Sequence, residues 1–179
     1  VGEESTALSK LDTTSVHAKA RKTRHLLESF HGAPNPQAIE KAWPYLHSTD
    51  YHLRYAARIA IEWQDPKSWA GKAYGEPDDL AAIHALLGLA RCDHPGAMSP
   101  SIKRLLSVNF AKLDKSAKLA LLRTYSVIMS RSGKPEPTQV NTIGKQLNLH
   151  YPSIDDNLNE ELCRVLSYLQ HPSVVSKTI

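Results

Sequence analysis

The sequence predicts an all-α chain, a superhelix of stacked helical hairpins with about nine helices. Three observations carry this. Asp residues able to start a helix recur at Asp50, Asp78, Asp114 and Asp155, spaced 28, 36 and 41 residues apart, and apolar side chains follow each at helical intervals. Ala and Leu are abundant, and no period-two alternation runs beyond four residues, which leaves no strand signal. Clusters of Pro and Gly separate the amphipathic segments.

The Asp alignment is the core of the argument. Three residues on lie Leu53, Ala81, Ala117 and Leu158. Seven on lie Ala57, Ala85, Leu121 and Leu162, and eleven on lie Ile61, Leu89, Tyr125 and Leu166. Residues three, four and seven apart share one face of a helix. Unequal spacing between starts suits a helical repeat with variable loops and not an array of fixed period.

In chain order, residues 1–16 are polar and aperiodic, and are expected to form a loosely ordered lead-in to a repeat domain over 17–179. His17 to His31 reads as a helix, ended by Gly32-Ala-Pro-Asn-Pro36. Pro36 can open the next helix, because a first-turn proline forfeits no hydrogen bond. That helix runs to Leu46 with Pro44 inside it, and pairs with Tyr51–Trp63. A short helix follows from Asp65-Pro66 to Tyr74, then one from Asp78 to Arg91. Ser99–Phe110 and Asp114–Ser132 form the next pair. Gly133-Lys-Pro-Glu-Pro137 is the clearest loop. Thr138–Asn148 and Asn157–Gln170 make the last pair, and Val174–Ile179 reads as the stump of a further helix.

The segment Asp50…Leu53-Arg54…Ala57…Ala60 resembles the second helix of a HEAT repeat, and Pro36–Leu46 resembles the first, with its mid-helix proline. The resemblance is good over 36–62, loose over 77–131 and only topological over 138–170. Arg54 is not repeated at the equivalent Ala82, Lys118 and Asn159. Four apart at a helix start, Asp50 and Arg54 are expected to cap and brace the turn; the resemblance implies that such a pair also bridges neighbouring repeats. Residues 24–60, with Ala42-Trp-Pro-Tyr-Leu46 and Arg54-Tyr-Ala-Ala-Arg58, are also similar to the helical-repeat region of large exported planctomycete-type proteins. Those join a dehydrogenase-like propeller to a c-type haem domain, which would imply an exported or periplasmic address. No Cys-x-x-Cys-His occurs in this chain, so no cofactor is expected on it.

No apolar run approaches the roughly 18–20 residues of a membrane span. The start, Val1-Gly-Glu-Glu-Ser5, lacks a signal pattern and a Met, and reads as a piece of a longer chain. Cys92 and Cys163 are isolated, and a small buried hydrophobe is the commoner role. Cys92-Asp93-His94 sets a thiol beside an imidazole, but sequence neighbours in a turn rarely aim at each other. His47 and His52 lack a third ligand for a metal. Ser132-Gly-Lys134 is too short to cradle a phosphate. Trp43, Trp63 and Trp69 are expected to pack between hairpins.

Two surfaces remain as candidates for binding. The net charge of +4 is concentrated in 98–134, where Lys103, Arg104, Lys112, Lys115 and Lys118 form a candidate basic patch. Its members spread over two helices, so a solvated face is expected and nucleic-acid binding is not. The other is the face bearing Tyr51, Tyr55, Arg58 and Glu62. Its counterparts on the next two Asp-started helices include Ile83, Leu86, Leu119 and Leu122, which are either buried within the chain or line a partner groove. The leading expectation is a non-enzymatic scaffold segment that holds a protein partner. The rival expectations are a nucleic-acid-binding helical repeat, including the HEAT-like DNA glycosylase type, and an accessory domain to a dehydrogenase or c-type haem domain.

Overall fold

The computed structural model describes residues 16–178, and within them every regular element is helical. The expected lead-in lies outside the described residues except for Val16, which opens the first helix. The helices are α1 (Val16–Glu28), α2 (Ala38–Ala42), α3 (Tyr51–Glu62), α4 (Ala70–Gly75), α5 (Asp79–Arg91), α6 (Met98–Leu106), α7 (Lys115–Ser132), α8 (Pro137–Asn148), α9 (Asp156–Tyr168) and α10 (Ser173–Thr178). Short 3₁₀ turns stand at Trp43–Tyr45, Pro66–Ser68 and Phe110–Lys112. Among the described residues no helix is long and apolar enough to cross a membrane.

All four aligned aspartates cap their helices, and each accepts from the amide three residues on. Asp50 accepts from Leu53 (3.4 Å) and also from His52 (2.8 Å). Asp78 accepts from Ala81 (2.8 Å), Asp114 from Ala117 (2.7 Å) and Asp155 from Leu158 (3.1 Å). Each cap satisfies an amide that the first helical turn leaves without a partner. The residues seven and eleven positions on are all buried. A cap that fixes where the helix starts therefore fixes which face turns inward.

The capped helices α3, α5, α7 and α9 pack side by side, each on the next, with α1 against the outer side of α3. Each capped helix also pairs with the element before it: α2 with α3, α4 with α5, α6 with α7, α8 with α9. α4, α6 and α8 touch in sequence and form a second layer. One continuous core lies between the layers, with Leu46, Trp69, Leu86, Leu105, Leu122, Ile143 and Leu166 inside it.

Several expectations are corrected. Residues 36–46 do not form one helix. Pro44 lacks an N–H and crowds the preceding turn, so α2 ends at Ala42 and tightens into a 3₁₀ turn in which Leu46 N donates to Trp43 O (3.1 Å). The helix read over 99–110 stops at Leu106, where Ser107 Oγ turns back to Arg104 O (2.7 Å). Arg54 makes no bridge of the kind the resemblance implies; its Nη1 donates to Ser48 O (2.5 Å) and Thr49 O (3.1 Å), so with the Asp50 cap it braces the turn of its own hairpin, as the residues themselves predict. Of the tryptophans, Trp43 and Trp69 pack edge to face at 6.4 Å, while Trp63 is exposed.

Candidate partner surface

α3 turns Leu53, Ala57, Ala60 and Ile61 toward the core, so Tyr51 and Tyr55, one turn apart, come out on the open side of their layer. They are 61% and 49% exposed and stack with ring centroids 6.2 Å apart. The His52 ring meets Tyr51 edge-on at 5.5 Å. The guanidinium of Arg58 lies 5.2 Å from the Tyr55 centroid, within cation–π range. Arg58 is also bonded to Glu62, and Glu62 Oε2 accepts from Arg91 Nε of α5 (3.2 Å). The tyrosine pair thus stands on an ion network that ties α3 to α5.

The four residues expected on one face therefore divide. Tyr51 and Tyr55 present surface, whereas Arg58 is buried and Glu62 nearly so. Charged groups come in from the edge of that face because each supplies the other's partner.

The apolar continuation of that face does not form an open strip. Ile83, Leu86 and Leu122 are fully buried by the chain's own helices. α5 is flanked by α3 and α7 and covered by α4 and α6, so it buries apolar side chains on most of its circumference. Leu119 differs: it is half-buried and lines a cavity of about 290 Å³ between α7 and α9.

The basic patch does not assemble as a free surface either. Arg104 bonds Asp79 (2.9 Å) and Glu76 O (2.9 Å), Lys115 pairs with Asp155, and the Lys118 ammonium lies 5.7 Å from the Phe110 centroid. Lys103 and Lys112 remain exposed. A phosphate surface needs several uncommitted cations together, and at least two of these five already hold carboxylates.

Cys92 and His94 do not form a reactive pair. The Cys92 Sγ donates to Glu62 O (3.4 Å). Burial, then the Glu62 charge, pushes the thiol up to about 11, so it stays protonated. No group of three His, Cys, Asp or Glu side chains among the described residues is arranged to hold a metal.

Two features lay outside the sequence reading. His84 of α5 sits with both ring nitrogens enclosed and without a hydrogen-bond partner, and its pKa is lowered to about 4 by burial and by the charges of Arg54 and Arg58. The other is a recess of about 250 Å³ between α1 and the start of α3, lined by His17, Arg21, Arg24, Asp50 and His52. Its signal was the basic run of α1, with Lys19, Arg21, Lys22 and Arg24 against Glu28 alone. That run is hidden when charge is summed over residues 1–91, where acids and bases balance.

No family model, no curated protein and no solved structure matches this chain.

Proposed function

We propose that this chain is a non-enzymatic HEAT-like scaffold segment of a longer protein, whose α3 face holds a protein partner or a neighbouring domain. The supporting observation is the stacked, exposed pair Tyr51 and Tyr55 on a rigid base of Arg58, Glu62 and Arg91. Tyrosine offers a large amphipathic contact at low entropic cost and is enriched where proteins meet. The α-α superhelix is part of this proposal, and the side-by-side capped helices with their paired second layer support it. The carboxylate pairing of Arg104 and Lys115 weighs against nucleic acid as the partner.

A photo-crosslinking residue in place of Tyr55, with the chain expressed in its own host, tests this. The expected result is a discrete protein adduct, or an intramolecular one in a longer chain, that disappears when Tyr51→Ser is added. The control position is Lys145, exposed on α8 of the other layer. Identical adducts from both positions, or none from position 55, would overturn the proposal.

A further inference from the structure

We propose that Arg54 and Arg58 of α3 and His84 of α5 form a binding site for a compact oxyanion, supplied as a free phosphate-type ion or as a carboxylate on a partner. The site lies beside Tyr55 but stands on different observations from the scaffold reading.

The site begins with an imbalance of charge. Arg54 and Arg58, one turn apart on α3, are only 7% and 8% exposed. Guanidiniums buried to this degree ordinarily hold a carboxylate. Arg58 has one in Glu62, whose other oxygen accepts from Arg91. Arg54 has none among the described residues: its Nη1 donates to the carbonyl oxygens of Ser48 and Thr49, which carry no charge. Asp50, four residues earlier, accepts from the amides of His52 and Leu53 and makes no ion pair with Arg54. Arg54, Arg58 and Arg91 thus share a single carboxylate.

Unused hydrogen-bonding groups collect at the same place. Arg54 Nε is enclosed without a hydrogen-bond partner, and so are both ring nitrogens of His84. The His84 pKa is lowered by burial and then by the charges of Arg54 and Arg58, which places the three side chains in one cluster and leaves the imidazole neutral near pH ~7. A buried donor without an acceptor is costly. Here the missing acceptor stands beside uncompensated positive charge, so the group that satisfies both is an anion with acceptor oxygens. A guanidinium fork matches two oxygens held on one atom, and a neutral imidazole adds one N–H. Water would satisfy a donor and leave the charge, chloride offers a single centre, and an apolar guest would satisfy neither. The small exposure of both arginines admits only a compact group presented end-on. The His84 ring is half-buried, and the outer torsion of histidine is broad, so a turn of the ring brings a nitrogen to the guest.

The test is a nuclear magnetic resonance titration of the full chain, observing histidine rings and arginine Nε–Hε groups. The probes are inorganic phosphate, acetate and chloride at constant ionic strength. Phosphate and acetate are expected to shift the His84 ring and the Arg54 Nε–Hε saturably, with chloride roughly tenfold weaker. Arg58→Gln and Arg54→Gln should each weaken phosphate roughly tenfold, as the loss of a charge-assisted bond requires. Arg54 also braces its loop, so each variant is first checked by circular dichroism. If Arg54→Gln does not fold, His84→Phe keeps a ring, removes the donor and should also weaken phosphate. Phosphate should raise the Tm of the parent more than that of Arg58→Gln, because only the parent binds it in the folded state. Shifts confined to the basic run of α1, an equal response to chloride, or unchanged phosphate affinity in the variants would overturn the site. The Tyr55 crosslink then separates the sources. An adduct suppressed by saturating phosphate identifies a carboxylate of the partner, and an adduct that persists identifies a free ion. Failure of the titration leaves the crosslink unaffected, and failure of the crosslink leaves the titration unaffected.

Discussion

His84 shows how a single side chain can couple this fold to pH. It lies on α5 opposite α3, enclosed, with Arg54 and Arg58 as its charged neighbours. Burial first, then those two cations, disfavours the imidazolium, so the folded chain resists protonating His84 down to about pH 4. An unfolded chain takes up that proton near pH ~6.5. Between these values the unfolded state binds more protons, so stability falls as pH falls, and the contribution is complete above ~6.5. At about 1.4 kcal/mol per pH unit, the effect amounts to roughly 3 kcal/mol across the window. His84→Gln keeps a polar group of similar reach and removes the titration. Urea unfolding of the two proteins at pH 7.5 and pH 4.5 should show the parent losing about 2–3 kcal/mol more than the variant. Equal losses would mean that His84 takes its proton without opening the α3–α5 contact. No sequence pattern announces this residue: only its enclosure on α5, together with the closeness of Arg54 and Arg58, reveals its state.

Elements meet at distances set by their smallest residues, and two glycines make opposite predictions. A Cβ at Gly144 of α8 would stand 2.6 Å from His171 Cδ2. That ring is held in place, with Nδ1 2.8 Å from Ser173 Oγ, whose hydroxyl donates to Asn148 Oδ1 (2.6 Å). Alanine in a helix interior is worth about 1 kcal/mol over glycine, while overpacking costs typically 1–3 kcal/mol. With the ring anchored, the clash should win, so Gly144→Ala is expected to destabilise by about 1 kcal/mol and to loosen α10. At Gly88 of α5 the nearest atoms to an added Cβ are Glu62 Cγ at 3.4 Å and Arg58 Cγ at 3.5 Å, which is ordinary contact. There the helix preference should win, and Gly88→Ala should stabilise by up to about 1 kcal/mol. Thermal melts of both variants decide the matter. The same sign for both would show that close approach does not control these helix pairs. The two positions look alike in sequence, each a glycine inside a helical pattern. What separates them is a residue 27 positions away in one case and 26 in the other, which periodicity cannot supply.

Across the whole molecule, what was legible in the sequence is what is decided locally. An Asp with apolar residues three, seven and eleven positions on specifies a helix, its start and its inward face, and all four such segments have these properties. The helices that precede the capped ones were less legible because Pro44 and Ser107 cut α2 and α6 short, and short helices carry weak periodicity. The candidate surface was half legible. Tyr51 and Tyr55 were placed on the exposed face, but Ile83, Leu86 and Leu122 are covered by neighbours far along the chain. Coverage by neighbours also predicts how stability is distributed. In a stack where each unit leans on the next, protection follows the number of flanking helices. α5 is flanked by α3 and α7 and covered by α4 and α6, whereas α10 lies at the end of the row, packed on α9 and tied by Ser173 and Lys177 to Asn148 of α8, and α1 rests on α3 and α2. Hydrogen exchange under native conditions should therefore be slowest at Leu86 and Leu89 of α5, faster in α1, and fastest at Val175 of α10. Opening of α1 and α10 should leave the α5–α7 pair intact, so their exchange should respond weakly to low urea while that of α5 tracks global unfolding. If α1 and α5 amides instead exchange with the same free energy and the same urea dependence, the molecule unfolds as one unit. The nearest-neighbour picture of the stack would then be wrong for this chain.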